Sequence, residues 1–151
     1  MEDQAKRILV VMDACEENLR TFESAVRLAV REHAELIGMF LIDINLFRMT
    51  QLPFVREIRF PSATESELDA QRLEREIRVR AERAMHDFAE IAEQARIRWS
   101  FRSVRGHVPT ELASAASTVN ILILGGRALR SRETEIRKCL AENRSITLLL
   151  L

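Results

Sequence analysis

Continuous apolar runs alternate with amphipathic stretches along the whole chain. Ile8-Leu9-Val10-Val11-Met12 ends at Asp13, and Leu36-Ile37-Gly38-Met39-Phe40-Leu41-Ile42 ends at Asp43. Runs of this length without alternation suit strands buried on both faces of a parallel sheet. Between them, Leu19, Phe22, Val26 and Ala29 recur every three or four residues, which predicts a helix over 18–33 with Asn18 as its N-cap. Strand, helix, strand is the βαβ unit.

The pattern continues after an irregular stretch. Pro53 and Pro61 break any long helix over 45–62, and Phe47, Phe54 and Phe60 make that segment too apolar for a free linker. It is expected to pack on the domain or on a partner. A long helix follows over 66–95, with Leu73, Ile77, Ala81, Met85, Phe88 and Ala92 on one face. Glu74–Arg78 and Glu76–Arg80 are expected as i,i+4 pairs on its wet side. Residues 97–104 alternate apolar and polar, which marks a strand wet on one side and near a sheet edge. Pro109 opens a short helix over 109–117. Ile121-Leu122-Ile123-Leu124 is a further buried strand, stopped by Gly125-Gly126. A last helix over 133–142 leads into an apolar strand over 146–151. Five mostly parallel strands with helices in every gap, joined by right-handed crossovers, give a three-layer, doubly wound α/β sandwich.

Composition sharpens this picture by exclusion. The chain has 151 residues, enough for one domain, 1–151, with a core that needs no metal or disulfide. Its 23 basic and 23 acidic residues cancel. A nucleic-acid binder would carry a basic excess and a membrane anchor a polybasic tract, so neither partner is expected. Nearly all the basic residues are arginine, Lys6 and Lys138 excepted; genome base composition accounts for that without invoking anion recognition. The polar start, the short apolar runs and two distant cysteines, Cys15 and Cys139, fit a cytoplasmic protein.

In open α/β sheets ligands bind outside the carboxyl ends of the strands, where strand order reverses. The residues at those ends are Asp13 and Ala14, Asp43, Arg105 and Gly106, then Gly125, Gly126 and Arg127, with Arg130 and Arg132 close behind. His33, His86 and His107 fall on three elements without ligand spacing, so no metal site is expected. A phospho-acceptor receiver domain is a poor match, because its acceptor Asp after the third strand and its Lys near the last are missing. No Ser-His-Asp order or carboxylate pair supports an enzyme.

Three segments carry a family likeness: Lys6 to Asp13, Gly106-His107-Val108-Pro109-Thr110-Glu111-Leu112, and Val119 to Arg127 with its strand-then-Gly ending. In order and spacing they make the chain resemble the universal stress protein family. The resemblance implies strand order 3-2-1-4-5 in an adenine nucleotide alpha hydrolase-like fold. It implies stress-associated, regulatory output through a partner protein, and a homodimer built on the last strand, through Ile146, Thr147, Leu148, Leu149 and Leu150. ATP-binding members carry Gly, two residues, Gly, nine residues, then Gly with Ser or Thr after the fourth strand. Here Gly125 is kept, but Ala128 and Lys138 stand at the later glycines. The loop is about six residues short, too few to wrap phosphates in backbone amides, and Glu133 would repel them. The resemblance therefore implies the fold without ATP or AMP as cofactor. The alternative is an adenine-nucleotide or other phosphoanion sensor, or a weak ATPase, that uses arginine forks in place of the glycine cradle. Against that alternative, the loop arginines are expected to pair with Glu133 and Glu135.

Overall fold

The computed structural model describes residues 6–13, 19–45, 63–141 and 146–151. Its elements in chain order are β1 (Arg7–Asp13), α1 (Leu19–Glu32), β2 (Glu35–Asp43), α2 (Ala63–Gln94), β3 (Trp99–Gly106), α3 (Val108–Ala116), β4 (Ile121–Leu124), α4 (Arg127–Arg130), α5 (Glu133–Cys139) and β5 (Thr147–Leu150). The sheet order is β3-β2-β1-β4-β5, and all four pairings are parallel. This is the order and the α/β class that the sequence pattern and the resemblance imply. The N-cap Asn18 and the segment 46–62 lie outside the described residues, as do Ala14 and Cys15.

Period-two alternation splits the apolar strands between two cores. Ile8, Val10 and Met12 of β1 and Leu36, Phe40 and Ile42 of β2 meet α1 and α2 on one face. Leu9, Val11, Met39 and Leu41 meet α3 and α5 on the other, with Leu122 and Leu124. Residues 8–12 have no exposed surface at all, which is why that run carries no polar alternation. Burying each such side chain contributes roughly 1.5–3 kcal/mol.

Phe88 of α2 is the hinge of the first core. It is fully buried and packs edge-on against Phe22 of α1 at 5.5 Å between centroids. Trp99 and Phe101 of β3 lie at 5.9 and 5.6 Å from it. One ring thus joins both helices' layer to the edge strand.

Two helices stop without glycine. His33 and Arg96 adopt left-handed backbone at φ 52° and 56°. The following amides, Ala34 N–H and Ile97 N–H, donate to the carbonyls of Ala29 and Ala92 at 2.9 and 3.4 Å. This is a Schellman-type ending on residues that pay a left-handed penalty.

Several side chains depart from the expected pattern. Leu19 and Met85 are 49% and 45% exposed, and Ala84 is buried in the place expected for Met85. Glu74 pairs with Arg105 of β3 at 3.0 Å, not with Arg78. β3 begins two residues later than the alternation predicts, because Arg96 and Ile97 are taken up by the end of α2: Arg96 is left-handed and Ile97 N–H donates to the Ala92 carbonyl. Both β3 and β5 lie at sheet edges.

Candidate functional site

The chain reverses direction between β1 and β4. β1 leads outward through β2 to β3, and β4 returns on its other side to continue to β5. Asp43, Asp13 and Gly125 therefore lie at the carboxyl ends of three neighbouring strands, β2, β1 and β4. The strand order puts the switch point between β1 and β4, as the sequence pattern implies. Ala14 lies outside the described residues.

Gly125 is held by packing. Its N–H donates to the Val11 carbonyl at 3.2 Å, and it has almost no exposed surface. A Cβ at this position would sit 2.6 Å from Thr21 Cγ2, 2.7 Å from Oγ1 and 3.0 Å from Cβ. Thr21 belongs to α1, and its β-branched side chain has little rotamer freedom. The one glycine retained from the family's phosphate pattern is thus explained by the close approach of α1. Gly126 follows at φ 93°, a conformation open to glycine. It lets the chain turn at once into the short helix α4, an element that the sequence pattern did not indicate.

Of the arginines behind this turn, Arg130 and Arg132 are engaged. Arg130 is exposed, and its Nε donates to the Gly126 carbonyl at 3.3 Å, back onto its own turn. Arg132 Nη2 donates to Asp43 Oδ2 at 3.1 Å. The second carboxylate oxygen, Asp43 Oδ1, accepts from Asn45 N–H at 2.9 Å. Glu133 binds Arg137 Nε at 2.8 Å, one turn on in α5. The expected pairing of loop arginines with Glu133 and Glu135 is therefore corrected: Arg132 reaches a carboxylate 89 residues away in sequence. The physical reason is geometric. Arg132 directly precedes α5, and its side chain reaches the carboxyl end of β2, while Glu133 points along the helix to its i+4 neighbour.

This Asp43–Arg132 pair is the feature that sequence reasoning missed. It joins the end of β2 to the segment after β4, with β1 between them. Its side chains are 21% and 33% exposed. Nothing local in the sequence couples the two residues; only the strand order does. Lys138 lies inside α5.

A hollow of about 190 Å³ opens between α2 and the outer strands. It is lined by Ile42, Ile77 and Ala81 at its base and by Arg78, Ser103 and the Arg105–Glu74 pair.

The model of the universal stress protein family matches residues 4–134. None of the curated proteins matches. Among solved structures, UspA of Lactobacillus plantarum is 13% identical with a TM-score of 0.67, covering 99% of each chain. A universal stress protein family member from Burkholderia pseudomallei is 19% identical with a TM-score of 0.66, over 97% of this chain and 95% of that one. A universal stress protein in complex with cAMP is 14% identical with a TM-score of 0.53, over 99% of this chain and 98% of that one. At these identities the likeness is one of fold.

Proposed function

The chain belongs to the universal stress protein family, and we propose that it serves that family's stress-associated role as a dimeric regulatory domain that does not use ATP. Its output passes through a partner protein, and it carries out no catalysis. The observation behind this reading is the state of the switch-point crevice. Ala128 and Lys138 replace the glycines that would let backbone amides reach phosphates. The crevice edge is bridged by Asp43 and Arg132, and the retained Gly125 has a packing role of its own.

The dimer would form on β5. This strand lies at the sheet edge, is half-buried through Leu148, Leu149 and Leu150, and has no charged residue. An apolar edge strand invites pairing with a second copy. Among the described residues no helix is long and apolar enough to cross a membrane.

A second reading is a phosphoanion or adenine-nucleotide sensor built on Asp13, Ala14, Asp43, Gly125, Gly126, Arg127 and Arg130. It is favoured by the arginines after Gly126 and by the relative solved with cAMP. Thermal unfolding with and without millimolar Mg-ATP, preceded by extraction of any co-purified nucleotide, separates the two. An unshifted midpoint and an empty extract support the ATP-independent reading. A ligand at 100 times its dissociation constant would stabilise by about 2.7 kcal/mol, and that shift would establish the sensor.

A further inference from the structure

We propose that the hollow between α2 and the outer strands binds a small monocarboxylate with a compact apolar body, an acid of benzoate size, and that Arg78 and Ser103 receive its carboxylate. The lining of this hollow includes none of Asp13, Asp43, Gly125, Gly126 or Arg132. It is a separate site, and it stands whether or not the switch point binds a nucleotide.

The hollow exists because one row of side chains changes character along β3. Trp99 and Phe101 turn their rings onto Phe88 beneath α2. By period-two alternation Ser103 and Arg105 follow them on the same face. The rings fill the space under the helix, and the small serine leaves it open. Arg105 pairs with Ile42 in the register of β2 and β3. From above, α2 contributes Glu74, Ile77, Arg78 and Ala81, whose spacing places them on one helix face. Ile42 and Ile77 are buried, so the floor is apolar and fixed. The volume of about 190 Å³ exceeds the ~150 Å³ of an apolar cavity that accepts benzene. One six-membered ring, or a branched chain of similar bulk, is therefore the body it admits.

The rim decides the charge of the ligand. It carries two arginines and one glutamate. Glu74 turns across to Arg105 of β3 at 3.0 Å and away from Arg78, one turn on in its own helix. Among the described residues Arg78 has no ion-pair partner and Ser103 has no hydrogen-bond partner. What remains is one guanidinium on the helix and one hydroxyl on the facing strand. A carboxylate fits that pair, since it accepts from a guanidinium fork and from a hydroxyl. Glu74 at the same rim opposes a second negative charge, which disfavours a phosphate dianion. A bare anion would also leave the Ile42–Ile77 floor in water, whereas a ring covers it.

The test titrates the full chain with benzoate and follows the methyl groups of Ile42, Ile77 and Ala81 by NMR at constant ionic strength. Acetate (the charge without the ring), benzamide (the ring without the charge) and inorganic phosphate are the comparisons. The expected result is a saturable shift with benzoate and a dissociation constant on the order of 1 mM, in keeping with about nine heavy atoms in an open site. Each comparison compound should bind at least about tenfold more weakly. Arg78→Gln should weaken benzoate about tenfold and leave benzamide unchanged. Ser103→Leu should fill the hollow and abolish the shifts; if that variant does not fold, Ala81→Leu narrows the space from the helix side and is read in the same way. No saturable shift at these methyls in wild type overturns the proposal. So does undiminished benzoate affinity in Arg78→Gln or in the filled variant. Acetate or phosphate bound as tightly as benzoate would leave an anion contact only, and benzamide bound as tightly would leave an apolar hollow only; either result also overturns it.

Discussion

Replacing Gly125 with alanine separates packing from phosphate binding as the reason for this glycine. The new methyl would lie 2.6 Å from Thr21 Cγ2 and 2.7 Å from Oγ1. Favourable carbon contacts begin near ~3.5 Å, so α1 would have to retreat by about 0.9 Å. Overpacking of this kind costs about 1–3 kcal/mol. Alanine also narrows the unfolded ensemble, which returns about 0.4–1 kcal/mol. The net expectation is a loss of about 1.5 kcal/mol and a fall in Tm of about 3–6 °C. Urea denaturation supplies the free energy, and a cycle with Thr21→Ala supplies the cause. Removing Cγ2 and Oγ1 should make Gly125→Ala at least ~0.5 kcal/mol less harmful, a coupling expected only of residues in contact. A Gly125→Ala protein as stable as wild type, or a cycle without coupling, would refute the packing account and return Gly125 to the phosphate site.

Other perturbations probe the rest of the fold. Phe88→Ala empties the contact point of Phe22, Trp99 and Phe101 and should cost about 3–5 kcal/mol by denaturant midpoint. His33→Gly and Arg96→Gly relieve left-handed backbone at φ 52° and 56°; each should raise stability by about 0.5–1 kcal/mol in calorimetry. In β5, Thr147 and Leu151 N–H donate inward to Asn120 and Leu124, so by alternation the amides of Leu148 and Leu150 point off the edge. On the proposed β5 dimer, Leu150→Pro should therefore keep the pairing with β4 but reduce the mass seen in sedimentation to that of a monomer; an unchanged mass would rule out this interface. Lys6 Nζ donates to Glu32 at 2.9 Å and, by that hydrogen bond and by its charge, holds the Glu32 carboxyl below its ordinary 4.5. A depressed carboxylate stabilises above its unfolded pKa and loses that contribution as pH falls through the lower folded value. Lys6→Met should raise the NMR titration midpoint of Glu32 toward 4.5 and remove the salt sensitivity of this small effect.

The strands were legible because their burial leaves a direct trace. Residues 8–12 and 122–124 are buried between helices on both faces, so they read as unbroken apolar runs, whereas β3 at the edge mixes polar residues among its apolar ones. Helix ends were less legible. His33 and Arg96 occupy left-handed positions that sequence rules assign to glycine. Met85 fell outside the buried face because the apolar stripe of α2 passes through Ala84, a residue too small to stand out in the pattern. The switch point followed from strand order, but the contacts around it did not. Charge pairing read along the chain favours near neighbours such as Glu133 and Glu135, and the partner of Arg132 is supplied by β2. The contact between Thr21 and Gly125 is hidden for the same reason, since α1 and the end of β4 meet only after the sheet has closed.

The division of the interior into two cores also has a chronology. All the buried members of the first core except Ile123 lie before residue 106, so a chain still being synthesised can complete that side once α2 and β3 have emerged. The second core needs Val108 to Leu140. Until those residues arrive, Leu9, Val11, Met39 and Leu41 form a bare apolar sheet face, and β1 lacks its neighbour β4. Such a half-covered sheet with an open central strand is the kind of species that aggregates or is held by chaperones. Ribosome-bound chains from which Gly106 has just emerged are therefore the stage at which this protein most needs protection.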